Sequence, residues 1–210
     1  MQKIILVGGG GHCKSCIEVL ESTQSYEIVG IIDRPEQVGE YVLGYPTIGC
    51  DDDTPKFLDA CQNFLITVGQ IKSVDLRKSL YERIVALGGH FPTIISPRAY
   101  VSQHATLAQG TIVLHGALVN ANAQIGENCI INSKSNIEHD AVVGDYCHIS
   151  TGAFVNGNCT IGQRCFIGSC AVVSSQVNIT NDVVVGAGCV VVRDITVPGT
   201  YVGNPQRKVK

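Results

Sequence analysis

Charge is scarce in this chain. Asp, Glu, Lys and Arg make up 16% of its 210 residues, against roughly 25% in an average soluble domain. The net charge is only −3, and no basic run exists beyond the short tail Arg207, Lys208 and Lys210. A nucleic-acid-binding protein would carry a basic stripe, so no nucleic-acid partner is expected. Long apolar runs are lacking too: none approaches the ~18 residues of a membrane span. The opening MQKIILVGGGGH has a short apolar stretch and then four glycines, too brief for a secretory leader, and the expectation is a cytoplasmic protein. What the chain does have is apolar material, 45% of its residues. That suffices for a core and for one or two domains at about 150 residues each, and it excludes a disordered chain.

Ten cysteines are spread from Cys13 to Cys189. Without an export signal they do not read as a disulfide scaffold. Cys13 and Cys16 form one CxxC, but the second CxxC of a zinc site is missing, and a small buried hydrophobe is the plainer role.

Internal repetition dominates the second half. In steps of six, Val101, Leu107, Val113, Val119, Ile125, Ile131, Ile137, Val143, Ile149, Val155, Ile161, Ile167, Val173, Ile179, Val185, Val191 and Val197 are all aliphatic. Two positions earlier the residue is mostly small, as at Ala117, Ala123, Cys129, Ser135, Ala141, Cys147, Ala153, Cys159, Cys165 and Ala171. Residues two apart on a strand face the same side, so each unit offers one large and one small inward residue and then a turn. A helix would scatter a period of six around its surface. Stacked short parallel strands forming the faces of a prism accommodate it, and Cys129, Cys147, Cys159, Cys165 and Cys189 become interior fillers. From Val177 onward the small position turns large (Val177, Val183, Ile195, Tyr201), so the last coils are expected to pack differently. This pattern resembles the hexapeptide-repeat acyltransferases. The resemblance implies a left-handed parallel β-helix with three hexapeptides per coil, hence five to six coils about 25–30 Å long at ~4.8 Å each.

The first half reads as a small α/β unit. Lys3–Val7 is a buried strand, four glycines follow, and a helix runs from His12 to about Thr23. Glu27–Ile32 is a second strand ending in Asp33, and Phe64–Val68 a third, followed by Gly69. Leu76, Leu80, Ile84 and Leu87 mark a helix, and Phe91–Ile95 a last strand before the joint at Ser96-Pro97. Strand, Gly-rich turn, helix, strand is the start of a nucleotide-binding sheet, here Rossmann-like. Gly8-x-Gly10-x-x-Cys13 lacks the third glycine of the dinucleotide fingerprint, so NAD is disfavoured. The glycines still let a ligand approach backbone N–H groups at a helix N-terminus. Asp33 stands where a nucleoside contact is usual, or else caps a helix at a tight turn. Two domains are expected: 1–96, this Rossmann-like α/β unit, and 97–210, the β-helix.

Acyl transfer from a thioester needs something to take the nucleophile's proton and a donor for the developing oxyanion. A histidine suits the first role near neutral pH. His139 is at a turn of its hexapeptide and so points out of the prism, with Asp140 beside it to hold the imidazole tautomer. Residues eighteen apart stack one coil above another, which puts Gly157 over His139 as candidate oxyanion donor. Gly168-Ser169 and Gly186-Ala187 stack likewise, a glycine-lined groove fit for a pantetheine arm.

The GxGGH turn, the α/β unit and the stretch Asn136-Ile137-Glu138-His139-Asp140, followed by Val143-Gly144-Asp145-Tyr146-Cys147-His148, resemble one bacterial subfamily over essentially the whole chain. It comprises the nucleotide-amino-sugar N-acetyltransferases and sialic-acid O-acetyltransferases of surface-glycan synthesis. The resemblance implies His139 as general base, made more basic by Asp140, with His148 helping to bind acetyl-CoA along the β-helix. It assigns Gly10, Gly11, His12, Asp33 and Gly69 to the nucleotide sugar, with Arg34 next to Asp33 bearing on base preference. The family often has Glu at Asp140. The expected activity is acetyl-CoA-dependent N-acetylation of a nucleotide-linked amino sugar, a UDP-4-amino-4,6-dideoxy-hexose foremost, with no metal. A sugar O-acetyltransferase and a non-catalytic β-helix scaffold are the alternatives. A carbonic-anhydrase-like zinc site from His104, His115, His139 and His148 is disfavoured because they form no tight cluster. Outward turn residues lack the depth to enclose a ligand, so a homotrimer with sites between subunits is expected.

Overall fold

The computed structural model describes residues 1–71 and 73–210. It falls into two compact units, Met1–Ile94 and Ile95–Lys210.

The first unit is built on strand β1 (Gln2–Val7), whose last four residues are buried. Helix α1 (Gly11–Thr23) buries Cys13, Cys16, Ile17, Val19 and Leu20, the apolar stripe its spacing calls for. Strand β2 (Tyr26–Ile32) pairs in parallel with β1. The structure then adds elements in a stretch where the apolar spacing is uninformative: β3 (Tyr41–Val42), β4 (Tyr45–Gly49) and the one-turn helix α2 (Thr54–Phe57). With β5 (Phe64–Ile66), the sheet runs β3-β4-β2-β1-β5. Its one antiparallel pair is the β3–β4 hairpin at the edge.

Two expectations need correction here. Helix α3 (Asp75–Ala86) exists, but its buried residues are Arg77, Leu80, Tyr81 and Ile84, while Leu76 and Leu87 are exposed. Burying Arg77 is tolerable because its Nη1 donates to the carbonyls of Ile66 (3.0 Å) and Val68 (2.6 Å), which offsets part of the cost of taking the guanidinium out of water. The run Phe91–Ile95 is strand only at Ile94–Ile95, and that pair belongs to a β-helix sheet rather than to the nucleotide-binding sheet.

The second unit is a parallel β-helix of two-residue strands in three sheets. Leu118 pairs with Asn136, Asn136 with Phe154 and Phe154 with Val172, so one coil takes eighteen residues. The aliphatic and small positions fill the interior, from Val113 to Val191 almost without exposure. Every sixth residue from Gly110 to Gly188 has positive φ, including Asn122, Asp140, Asn158, Tyr146 and Arg164. Such left-handed corners suit Gly, Asn and Asp. For Tyr146 or Arg164 they cost on the order of 1–2 kcal/mol each, which the ladder on either side offsets.

The period of six ends earlier than the aliphatic series does. Val197 is 50% exposed. Ile195 bridges to Ile179 and Tyr201 pairs with Val185, a step of sixteen residues instead of eighteen. The final coil has dropped two residues, and Ile195 and Tyr201 take the inward places.

The interior cysteines are hydrogen-bonded as well as buried. Thr111, Cys129, Cys147 and Cys165 form a column at intervals of eighteen. Each donates its side-chain hydrogen to the carbonyl fifteen residues on, at Gly126, Gly144, Gly162 and Thr180. Cys13 and Cys16 are equally enclosed, and burial pushes the Cys13 thiol up to about 11 and that of Cys16 higher still. A thiol held protonated is a poor nucleophile and metal ligand. Iodoacetamide should therefore label exposed Cys170 in the native protein, half-buried Cys50 more slowly, and the eight buried cysteines only in denaturant. Peptide mass spectrometry reads the sites, and rapid native labelling of Cys13 or Cys16 would contradict this placement.

Candidate active site

In the first unit the turn after β1 and the ends of β2 and β5 surround a cleft of about 420 Å³. Gly10, Gly11, His12, Asp33, Arg34 and Gly69 all line it. The Asp33 carboxylate accepts from the N–H of Gly9 (2.8 Å) and of Arg34 (2.8 Å), so it clamps the Gly-rich turn to the end of β2 instead of capping a helix. A side chain at Gly9 would run into that carboxylate at 2.8 Å, whereas Gly10 and Gly11 have nothing within 4 Å of a would-be Cβ. These two positions therefore leave backbone open to the cleft. Helix α1 starts there without a side-chain cap and without an acidic residue in its first turn, so its first N–H groups and positive dipole end are available to an anion. Arg34 extends outward, paired with Glu36 at 3.3 Å. Sequence spacing gives no hint of Asp51, which the β4–α2 connection brings to the cleft. Burial raises its carboxyl above the ordinary range, against the pull of Arg83.

In the β-helix, His139 and Asp140 occupy the turn after the strand Asn136–Ile137. Both are about half exposed, and His139 Nδ1 lies 2.8 Å from Asp140 Oδ2. Asp140 adopts φ 59°; its short side chain reaches the imidazole from that left-handed corner. Asn122, eighteen residues earlier, donates Nδ2–H to Asp140 Oδ1 at 2.7 Å. The Asn122 and His139 contacts together hold the Asp140 carboxyl below the usual range. On the other flank Glu138 accepts from Asn120 (2.7 Å) and Asn136 (3.0 Å). Gly157 lies over the ring: a Cβ there would meet His139 Cε1 and Nε2 at 2.8 Å. Only glycine lets the imidazole lie against that coil.

The remaining expected residues are distributed differently. His148 is on a strand of another sheet, 7% exposed, with Nε2 3.0 Å from Asn132 Nδ2 and its ring edge-on to Phe166. Within one chain it is not on the sheet that leads to His139. Gly168 is buried, and a methyl there would meet the backbone of Val185, Gly186 and Ala187 at 2.6 Å. Coil stacking accounts for that glycine, so it does not line an open groove. Ser169 Oγ pairs with Ser150 Oγ at 3.0 Å, Gly186 is partly covered and Ala187 is exposed. Among the described residues no group of three or more His, Cys, Asp or Glu is arranged to hold a metal ion.

Fold and turn site together define a hexapeptide-repeat transferase with an α/β domain in front. Residues 3–84 match the family model for the PglD N-terminal domain, and residues 122–157 the bacterial transferase hexapeptide (six repeats). PerB from Caulobacter crescentus, solved with CoA and GDP-perosamine, is 30% identical and superposes with a TM-score of 0.93 over 100% of this chain and 98% of its own. The acetyltransferase domain of PglB from Neisseria gonorrhoeae FA1090, solved with acetyl coenzyme A, is 30% identical with a TM-score of 0.91 over 99% of both chains. UDP-N-acetylbacillosamine N-acetyltransferase of Bacillus subtilis (strain 168) is 32% identical over 120 residues, 54% of this chain, which spans about half (52%) of that relative's length. The chain belongs to the family of hexapeptide-repeat sugar N-acetyltransferases with a PglD-type N-terminal domain.

The two hydrogen bonds on Asp140 have a measurable consequence. In a carbon-detected NMR titration its carboxyl should change protonation below the usual aspartate range. His139→Ala should move the midpoint up only in part, because the contact with Asn122, the larger cause, remains. A wild-type midpoint at the ordinary value would contradict the geometry.

Proposed function

We propose that this chain transfers the acetyl group of acetyl-CoA to the amino group of a nucleotide-linked amino sugar, a UDP-4-amino-4,6-dideoxy-hexose foremost, in surface-glycan synthesis. The observation that carries the reading is the His139–Asp140 pair lying under Gly157. A carboxylate only accepts, so Nδ1 carries the hydrogen facing Asp140 and Nε2 keeps its lone pair. The neutral amine attacks the thioester carbonyl, forming the C–N bond, and its proton passes to His139 Nε2. When the tetrahedral intermediate collapses, the C–S bond breaks and the thiolate of CoA leaves, to be protonated by the imidazolium. The Gly157 N–H, which has no hydrogen-bond partner among the described residues, serves the oxyanion. Asp140 keeps the imidazole in the tautomer that accepts at Nε2 and stabilises its cation.

The cleft at the head of α1 takes the nucleotide sugar. Its diphosphate belongs at the helix N-terminus near Gly10, Gly11 and His12, and its nucleoside beside Asp33, Arg34 and Gly69. The acetyl donor lies along the β-helix, with Ser169, Gly186 and Ala187 at the surface and Gly168 as the packing glycine beneath. His148, on a different sheet from the one that leads into the His139 turn, meets a donor only if a second β-helix closes the site. The sheet that carries Leu118, Asn136, Phe154 and Val172 supports such closure: its outward residues include exposed Tyr100 and Phe154 and partly covered Leu118, Val172 and Val190. We therefore read the assembly as a homotrimer of left-handed β-helices in the cytoplasm.

The kinetic test is CoA release from acetyl-CoA against UDP-, GDP-, dTDP- and CMP-linked amino sugars, with mass spectrometry of the product to distinguish amide from ester. His139→Ala should lower kcat by ~10² or more, and Asp140→Asn by less. Asp33→Ala should raise KM for the nucleotide sugar and spare KM for acetyl-CoA. Near-normal turnover by His139→Ala would remove the mechanism, and an Asp33→Ala effect confined to acetyl-CoA would invert the assignment of the two ligands.

Sedimentation tests the assembly independently. The mass should be about three times 22.4 kDa, and a fully active monomer at assay concentration would defeat the shared site.

A further inference from the structure

Two consecutive turn residues do not lock each other. His139 and Asp140 sit side by side at a half-exposed corner, where an aspartate side chain is free to turn its carboxylate to water. Something else must fix the plane of that carboxylate if one oxygen is to stay on Nδ1. The structure shows one such tether: Asn122 Nδ2 donates to Asp140 Oδ1 at 2.7 Å while Asp140 Oδ2 faces His139 Nδ1 at 2.8 Å. Asn122 and Asp140 share a corner of successive coils and the same left-handed backbone, φ 60° and 59°. Their Cβ atoms therefore leave the coils in parallel, about 4.8 Å apart, and the amide meets the carboxylate head on. The backbone reinforces the stack, with Asp140 N–H donating to Ala121 O at 3.1 Å.

We propose that Asn122 is a positioning residue for the catalytic pair: it holds Asp140 so that His139 stays in the Nδ1–H tautomer with Nε2 facing the substrate. The proposal rests on the reading of His139 as general base for its kinetic consequence, but not for the tautomer itself. The competing role is purely structural. Other corners carry stacked polar pairs that only staple coils, such as Arg164 with Asp182 at 2.7 Å, and an asparagine suits a left-handed corner whatever its side chain touches.

Two substitutions separate the roles. Asn122→Gly removes the donor and keeps a residue at ease with positive φ. Asn122→Asp keeps size and corner preference but replaces the donor by a carboxylate, which at neutral pH repels Asp140. Imidazole nitrogen shifts from ¹⁵N-histidine-labelled protein, with the His139 signals identified by their loss in His139→Gln, report the tautomer without any substrate. Both variants should move His139 toward the Nε2–H form that free imidazole side chains prefer. Both should lower kcat about tenfold, the scale of one charge-assisted hydrogen bond, with KM for either substrate within about twofold. Wild-type shifts in either variant would overturn the proposal, even if its melting temperature fell. Failure of the acetyl-transfer reading would look different: no turnover by wild-type protein, with the tautomer still responding to Asn122.

Discussion

Up to the shortened last coil, eighteen residues separate each strand of the β-helix from the strand hydrogen-bonded to it, and that spacing decides which side chains meet. Glu138 N–H reaches Val155 O at 2.9 Å and Asp140 N–H reaches Ala121 O at 3.1 Å, so the turn holding His139 is fixed from the coils on both sides. Asn122, Asp140 and Asn158 then stack at one corner, with Ala121, His139 and Gly157 at the position before it. A slip of one residue between coils would move every inward aliphatic to the outside, and it would also part His139 from Gly157. Core and candidate site are thus specified by one register, and neither can be altered alone.

The ladder also explains how the chain tolerates features that are costly elsewhere. Tyr146 and Arg164 keep positive φ because their neighbours pair above and below. The interior thiols find acceptors fifteen residues on because the coil geometry repeats, so Cys129, Cys147 and Cys165 solve the same problem in the same way as Thr111. Burying a hydroxyl without such a partner costs a few kcal/mol. At these positions the acceptor is supplied by the fold itself, and a cysteine serves as a small residue with a satisfied hydrogen.

The β-helix was legible because its signal repeats: sixteen of seventeen aliphatic positions turn inward, and only Val197, beyond the two-residue shortening, does not. The α/β unit was legible where apolar runs are strong, at β1, α1 and β2. It was silent at the edge hairpin of β3 and β4, where Tyr41 is exposed and Val42, Tyr45 and Ile48 are only partly covered. The α3 stripe departs from its leucine spacing because Arg77 takes a buried place that an apolar count assigns to leucine. Stacking by eighteen was enough to place Gly157 over His139. The same rule applied backwards from Asp140 reaches Asn122, which carries no motif of its own. Asp51 had no sequence signal at all, since only the path of the chain from β4 to α2 brings it to the cleft.

Exposure itself separates the two kinds of carboxylate contact in this molecule. Asp33 binds two backbone N–H groups and so shapes the Gly-rich turn; its loss would alter the cleft wall itself. His139 and Asp140 touch no backbone donor through their side chains in the contacts between them, and at half exposure a His–Asp pair contributes little to folding. A glycine kept clear above the ring, and an asparagine amide aimed at the carboxylate rather than merely at ease in its corner, are then more than the stability of that pair needs. They are explained if the direction of one imidazole nitrogen matters, because that direction is what those two neighbours control.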